Sequence, residues 1–312
     1  MDKLKTENKN LNLDNLITAS LKGISQVILV ENPLSGLIIL IAITFSDYKL
    51  GIIALVSSMI GALTGHITGV NKNTINQGLL GYNSVLIGLA LSIFLMGYNR
   101  WWIALLGAFF AAILTATLIH FFSNLNIPVL TFPYIILTWL FILAGYHLQV
   151  FKLASVILPQ DLAGWHMVND GNINLINGLV NGVGQVYFQT FLISGILILV
   201  AIFWDNWKSG MYAIIGTVVG FATAYCLGSE FSLLNQGLYG FNAVLTALAI
   251  SKVFDADRPF APLTGVIASI LTVPITAGID TWLMPYGIPG LTMPFVLVTW
   301  MFLGARKIMP KL

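Results

Sequence analysis

Charge is what this sequence has least of. Only 8% of its 312 residues are Asp, Glu, Lys or Arg, and 57% are apolar. A soluble domain carries about 25% charged residues, so a chain this poor in charge cannot keep its surface wet, and most of that surface must face lipid. A single cysteine, Cys226, excludes an intrachain disulfide framework and a cysteine-based metal centre. The four histidines (His66, His120, His147, His166) are scattered and form no His-x-x-x-His pair, so no metal site is expected. A net charge of +2 is too small to suggest nucleic acid. The apolar segments hold no Ser–His–Asp set, His-Glu-x-x-His motif or carboxylate pair, which argues against a membrane-embedded enzyme. No catalytic residue and no cofactor is expected. The polar stretch Met1 to Asn15 precedes an apolar run without a small-residue cleavage site, which argues against a removable signal peptide.

What is present is a series of long apolar segments. A spanning helix needs about 20 mostly apolar residues. Leu50–Val70, Trp101–Phe122 and Val129–Leu148 are long enough to cross. After a polar break at Leu158–Asn177 the series resumes with Val183–Phe203, Met211–Leu227, Pro262–Ile279 and Leu291–Ile308. The apolar stretches around Gly23–Phe45 and Gly182–Phe203, extended back to Leu16 and Ile176, are too long for one crossing, so each is expected to hold two spans joined by a tight turn. Glu31-Asn32-Pro33 marks the first turn, because proline has no backbone donor and the residue before it avoids the helical region.

Three blocks recur in the same order. Gln26-Val27 and Ser35-Gly36 reappear as Gln185-Val186 and Ser194-Gly195, 159 positions later. Asn76-Gln77-Gly78-Leu79-Leu80-Gly81-Tyr82-Asn83 reappears as Asn235-Gln236-Gly237-Leu238-Tyr239-Gly240-Phe241-Asn242, again at 159. Leu130-Thr131-Phe132-Pro133 with Thr138-Trp139 reappears as Leu291-Thr292-Met293-Pro294 with Thr299-Trp300, at 161. The chain is a duplicated unit. The expected division is an N-terminal segment 1–15, a first transmembrane repeat 16–157, an inter-repeat loop 158–176 and a second repeat 177–312. The Asn-Gln-Gly blocks precede Gly/Ala/Leu-rich stretches, Leu86–Met96 and Leu245–Val253, expected to be re-entrant pore helices. Irregular backbone at membrane depth survives only where protein buries it or it lines a cavity.

The fold class expected is therefore all-α integral membrane: two inverted five-helix repeats, each with a re-entrant pore helix, around a central pore. Five spans per unit is an odd number, so the second copy must sit upside down. With both termini cytoplasmic, the inside carries Lys3, Lys5, Lys9, Lys22, Lys49, Lys252, Arg258, Arg306, Lys307 and Lys311. The outside then carries Lys72, Arg100, Lys152 and Lys208, and ten against four obeys the positive-inside rule. The compact termini suit a bacterial inner membrane.

Intramembrane charges mark ion paths and proton relays, and the expected spans hold almost none; Glu31, Glu230 and Asp280 lie near span ends. The cargo is then a small neutral polar molecule. Pro133 and Pro294 each remove a helical hydrogen bond, and a helix continuing through them would leave the Val129 and Gly290 carbonyls bare beside the Thr131 and Thr292 hydroxyls. Gln26 and Gln185 can add side-chain oxygens near the mouths, and Tyr82, Leu86, Phe241 and Leu245 flat or apolar walls.

Those residues resemble the urea transporter family. The likeness rests on Gln-Val followed by Asn-Pro-x-Ser-Gly in the first half, on Asn-Gln-Gly-Leu-x-Gly-aromatic-Asn in both, and on Leu-Thr-x-Pro ahead of Thr-Trp in both. It runs from about Gly23 to Arg306. The resemblance implies a homotrimer in the bilayer with one pore per protomer, conducting urea down its gradient. It places Gln26 and Gln185 in ladders of acceptor oxygens and Thr131 and Thr292 flanking a central constriction. Leu86 and Leu245 face that constriction, and Tyr82 and Phe241 are slot walls with Leu29 and Phe188 as their partners. Val186, in the second Gln-Val pair, completes the solute-facing set. The chain departs from the family at Tyr82 and Leu29, where phenylalanine is common, and at Thr190-Phe191, which stands for the Asn-Pro of the first half. A channel for short amides or ammonia is the alternative. Acetamide differs from urea by little that a slot can reject, whereas an ammonia path would be expected to carry histidines in the duplicated motifs, and none lies there.

Overall fold

A computed structural model describes residues 13–169, 171–254 and 256–309. Most of the expected N-terminal segment 1–15, with Lys3, Lys5 and Lys9, lies outside the described residues, as does Lys311. Among the described residues there are fourteen α-helices and no strand beyond one isolated bridge, Leu95 to Leu153. The first seven are α1 (Leu13–Gln26), α2 (Pro33–Ser46), α3 (Tyr48–Thr68), α4 (Lys72–Asn76), α5 (Gly81–Phe94), α6 (Asn99–Ser123) and α7 (Phe132–Ala144). Their counterparts follow in the same order: α8 (Leu175–Gly184), α9 (Leu192–Asp205), α10 (Trp207–Cys226), α11 (Phe231–Asn235), α12 (Gly240–Leu248), α13 (Ala261–Leu283) and α14 (Met293–Ile308). α12 is prolonged by a π-helical segment over Ala249–Val253. Among the described residues no helix lies between Ala144 and Leu175, where the two halves are joined.

Local chemistry explains where these helices begin and end. The Asn32 side chain accepts from the Leu34 and Ser35 amides and so caps α2, with Pro33 in the first turn, where its missing N–H costs nothing. In the second half Phe191 precedes α9, which has no side-chain cap. In that register Phe191 and Leu192 replace the Asn-Pro pair, one position later than the sequence comparison placed it, and a capped turn in one half is an uncapped one in the other. Asp47 ends α2 and caps α3; Asn206 does the same between α9 and α10.

Four helices, α3, α6, α10 and α13, are long and apolar enough to cross a membrane unaided. The remaining expected spans are shorter: α1, α2 and α9 have 14 residues each, about 21 Å at 1.5 Å per residue, against a hydrocarbon core of about 30 Å. α8 with its short continuation meets α9 at 72°. Segments expected as plain crossings are thus short rods joined by sharp turns. The turns are visible in the backbone: Leu29 and Phe188 take left-handed φ values of 62° and 59°, which L side chains adopt at a cost.

The burial pattern is that of a membrane protein. On α2, Leu34, Leu37 and Ile41 are exposed while Ser35, Gly36, Ile39, Ala42 and Ile43 are buried. An apolar outer face of this kind is stable only against lipid or another protein. α5 is buried along its length except at Ile93, and α12 except at Phe241, so both helices lie inside the protein. α5 packs among α1, α3, α6 and α7, and α12 among the equivalent α8, α10, α13 and α14. Close approach of α1 to the entry of α5 requires Gly78, whose φ is +77° and whose added Cβ would strike the backbone of Lys22 and Gly23. Gly237, at φ +73°, stands in the same relation to Asn181 and Gly182.

The halves meet through reciprocal contacts. The Ser35 hydroxyl donates to the Ala201 carbonyl and the Ser194 hydroxyl to the Ala42 carbonyl, both at 2.7 Å. The Trp139 indole donates to the Pro289 carbonyl at 2.9 Å, and the Trp300 indole to the Pro128 carbonyl at 2.8 Å. Equivalent residues exchanging equivalent bonds is the mark of a two-fold relation.

Candidate functional site

At the meeting of the halves, α7 and α14 begin at Phe132 and Met293 with Pro133 and Pro294 in their first turns. The prolines therefore start these helices and do not interrupt them. Helix N-terminal amides lack intrahelical partners in any case, so proline there breaks no bond. The helix running through the prolines, on which the expectation of bare carbonyls rested, is therefore absent, and the Gly290 carbonyl accepts from the Met293 amide at 3.2 Å.

Thr131 and Thr292 occupy the N-cap positions, yet neither side chain caps its own helix. The two hydroxyls meet each other at 2.7 Å, 161 residues apart in sequence, and both residues are buried. Thr292 also donates to the Tyr134 hydroxyl at 3.1 Å. The preceding residues, Leu130 and Leu291, both have φ of 53°. Asn83 and Asn242, in the first turns of α5 and α12, hold these strained corners. Asn83 Nδ2 donates to the Leu130 carbonyl at 3.3 Å and its Oδ1 accepts from the Tyr134 amide at 3.4 Å. Asn242 Nδ2 donates to the Leu291 carbonyl at 3.1 Å and its Oδ1 accepts from the Phe295 amide at 3.2 Å. Each asparagine thus grips the chain on both sides of a threonine.

Hydroxyl oxygens 2.7 Å apart leave no room for a solute between them. The threonines therefore do not stand on opposite sides of an opening; together they make one polar patch. Leu86, Leu245 and Val186 are buried in the cluster that also holds Leu130, Leu291 and Tyr134.

Toward the ends of α1 and α8, Gln26 and Gln185 are placed alike. Gln26 Nε2 donates to the Gln77 carbonyl at 3.0 Å and Gln185 Nε2 to the Gln236 carbonyl at 3.1 Å. With the amide nitrogen committed to backbone, Oε1 is the atom each leaves to accept from a partner. Leu29 and Phe188 follow at the sharp turns, both half-buried. The Phe188 ring lies edge-on to Phe94, with centroids 5.9 Å apart. Tyr82 is buried, and its hydroxyl donates to the Leu130 carbonyl at 2.7 Å; Phe241, its counterpart, has no such tether and is half-buried.

The family model for urea transporters matches residues 17–307. This chain belongs to the urea transporter family. It is 27% identical over 288 residues to urea transporter 1 of Ovis aries, covering 91% of this chain and 75% of that protein. The likeness to urea transporter 1 of Rattus norvegicus is also 27%, over 290 residues with the same coverage.

Within this urea transporter family chain, sequence reasoning singled out the threonines and glutamines but not the side chains that arrange them. Asn83 and Asn242 were legible in the duplicated Gly-x-x-Gly-aromatic-Asn block, where asparagine suggested bonds to freed backbone without naming which. Tyr134 carried no such signal, because its counterpart is Phe295 and the pair reads as interchangeable aromatics. Asp280, near the end of α13, accepts from the Gly290 amide at 3.0 Å and fastens the turn leading into Leu291 and Thr292.

Proposed function

We propose that this protein conducts urea passively across a membrane through a passage between its two halves, with Thr131 and Thr292 as the central acceptor patch. The supporting observation is the hydroxyl pair where the N-termini of α7 and α14 converge, buried amid apolar side chains. In this reading Gln26 and Gln185 meet the solute at the mouths. Leu29, Tyr82, Phe188 and Phe241 supply flat or apolar walls, and Leu86, Val186 and Leu245 face the threonines across the narrowest part. The copies are inverted in the bilayer with both termini cytoplasmic, and three protomers assemble, each with its own pore, in a bacterial inner membrane.

The chemistry follows from urea itself, which is planar and neutral with four N–H donors and one acceptor. Removing its water costs several kcal/mol unless other hydrogen bonds replace it. Hydroxyl and side-chain carbonyl oxygens replace those to its N–H groups, and apolar walls hold its plane. A helix N-terminus carries roughly half a positive charge, so two converging N-termini oppose a cation at the point where it has lost its hydration. Ion exclusion then needs no charged gate.

The test is stopped-flow flux into liposomes containing the purified protein, comparing urea, acetamide, ammonia and water. Fast urea entry well above that of protein-free vesicles is expected. Ammonia flux without urea flux would overturn the reading.

A further inference from the structure

The centre of the molecule breaks its own symmetry. Tyr134 and Phe295 are equivalent positions, three residues into α7 and α14, and both are fully buried. Only Tyr134 has a hydroxyl, and it accepts the proton of Thr292 at 3.1 Å. A threonine hydroxyl has one proton to give. Thr292 spends its proton on Tyr134, so the 2.7 Å contact between the threonines must take its proton from Thr131. Assigned from the heavy-atom geometry, the chain of donation runs Thr131 to Thr292 to Tyr134. Both threonine protons are consumed inside the protein, and what the pair still offers is lone pairs alone.

We propose that Tyr134 is a specificity-determining positioning residue: its hydroxyl, by taking the Thr292 proton, makes the threonine pair a pure acceptor and so favours solutes rich in N–H donors. Without that hydroxyl, the Thr292 proton is released to turn into the passage. A patch that presents a donor loses an acceptor for N–H groups and gains a partner for a carbonyl oxygen. Urea and acetamide separate these cases, because they share shape and carbonyl while acetamide replaces one NH2 with a methyl group. The inference rests on the proposal that the threonines line a urea passage.

The experiment measures the urea-to-acetamide permeability ratio in liposomes for wild type, Tyr134→Phe and the swap Tyr134→Phe/Phe295→Tyr. By the two-fold relation, a tyrosine at position 295 reaches Thr131 as Tyr134 reaches Thr292. The ratio is expected to fall about fivefold in Tyr134→Phe, the worth of one neutral hydrogen bond, and to recover in the swap. An unchanged ratio in Tyr134→Phe overturns the inference. A fall that the swap leaves unrestored assigns the effect to packing and overturns it equally. Wild-type protein that carries no urea would instead sink the underlying proposal, so the two failures are distinguishable.

Discussion

At the scale of single residues, the site is made by hydroxyls and amides whose partners are specified on one side and open on the other. Gln26 and Gln185 spend their nitrogens on the Gln77 and Gln236 carbonyls, and the Thr131 and Thr292 hydroxyls share one hydrogen bond, with Thr292 donating onward to Tyr134. Replacing either threonine by valine removes an acceptor and leaves the other hydroxyl buried without its mate. Thr131→Val and Thr292→Val are each expected to slow urea flux about tenfold in stopped-flow assays, from the loss of about one hydrogen bond to the solute. Full-speed flux in both variants would remove the threonines from the path. Asn83 and Asn242 act one step back, since each holds a left-handed corner from both sides. The Asn83→Leu variant should unfold at a lower temperature in detergent, by the equivalent of about 1–3 kcal/mol, because the Tyr134 amide is left buried without its partner. A melting temperature equal to wild type would show that Asn83 is not a structural clamp.

At the scale of elements, the molecule is built from short rods and tight crossings. α1 and α2 cannot each traverse about 30 Å of hydrocarbon at 14 residues, so what they reach is set by the turn between them. The crossing of α1 over the entry to α5 depends on Gly78, and that of α8 over α12 on Gly237. Alanine at either position meets a left-handed φ and a backbone in its way. Gly78→Ala and Gly237→Ala are each expected to cost more than about 1 kcal/mol, seen as a lowered thermal midpoint and as reduced urea flux. Retention of both properties would mean that the helices can separate there without consequence. The repeat in the sequence revealed that these blocks matter. It did not reveal that the Leu-Thr-x-Pro block starts a helix, because proline inside an apolar run reads equally as a kink or as a first turn.

At the scale of the whole molecule, reciprocal bonds between the halves, Ser35 with Ala201 and Ser194 with Ala42, tie α2 to α9 without any charge. The ionisable groups of the four long helices lie near their ends: Lys49, His66, Arg100, His120, Lys208 and Asp280. The passive mechanism proposed above uses no group that couples solute to an ion. Urea flux in liposomes is therefore expected to be unaffected by an imposed membrane potential and by the removal of sodium. Strict dependence on either would require a charged partner in the path and contradict a passive mechanism.

The amino-acid sequence by itself determined that this is a duplicated, apolar, helical protein with almost no charge at depth, because composition and repetition are properties of the chain that survive any folding. It also marked Thr131, Thr292, Gln26 and Gln185, because each recurs in its half at a constant offset. Only the tertiary structure decided that the two threonines touch, that proline begins their helices, and that Tyr134 breaks the symmetry beside them. Hydrogen-bond distance and direction depend on how two chain segments 161 residues apart are brought together, and no local pattern encodes which hydroxyl gives its proton to which.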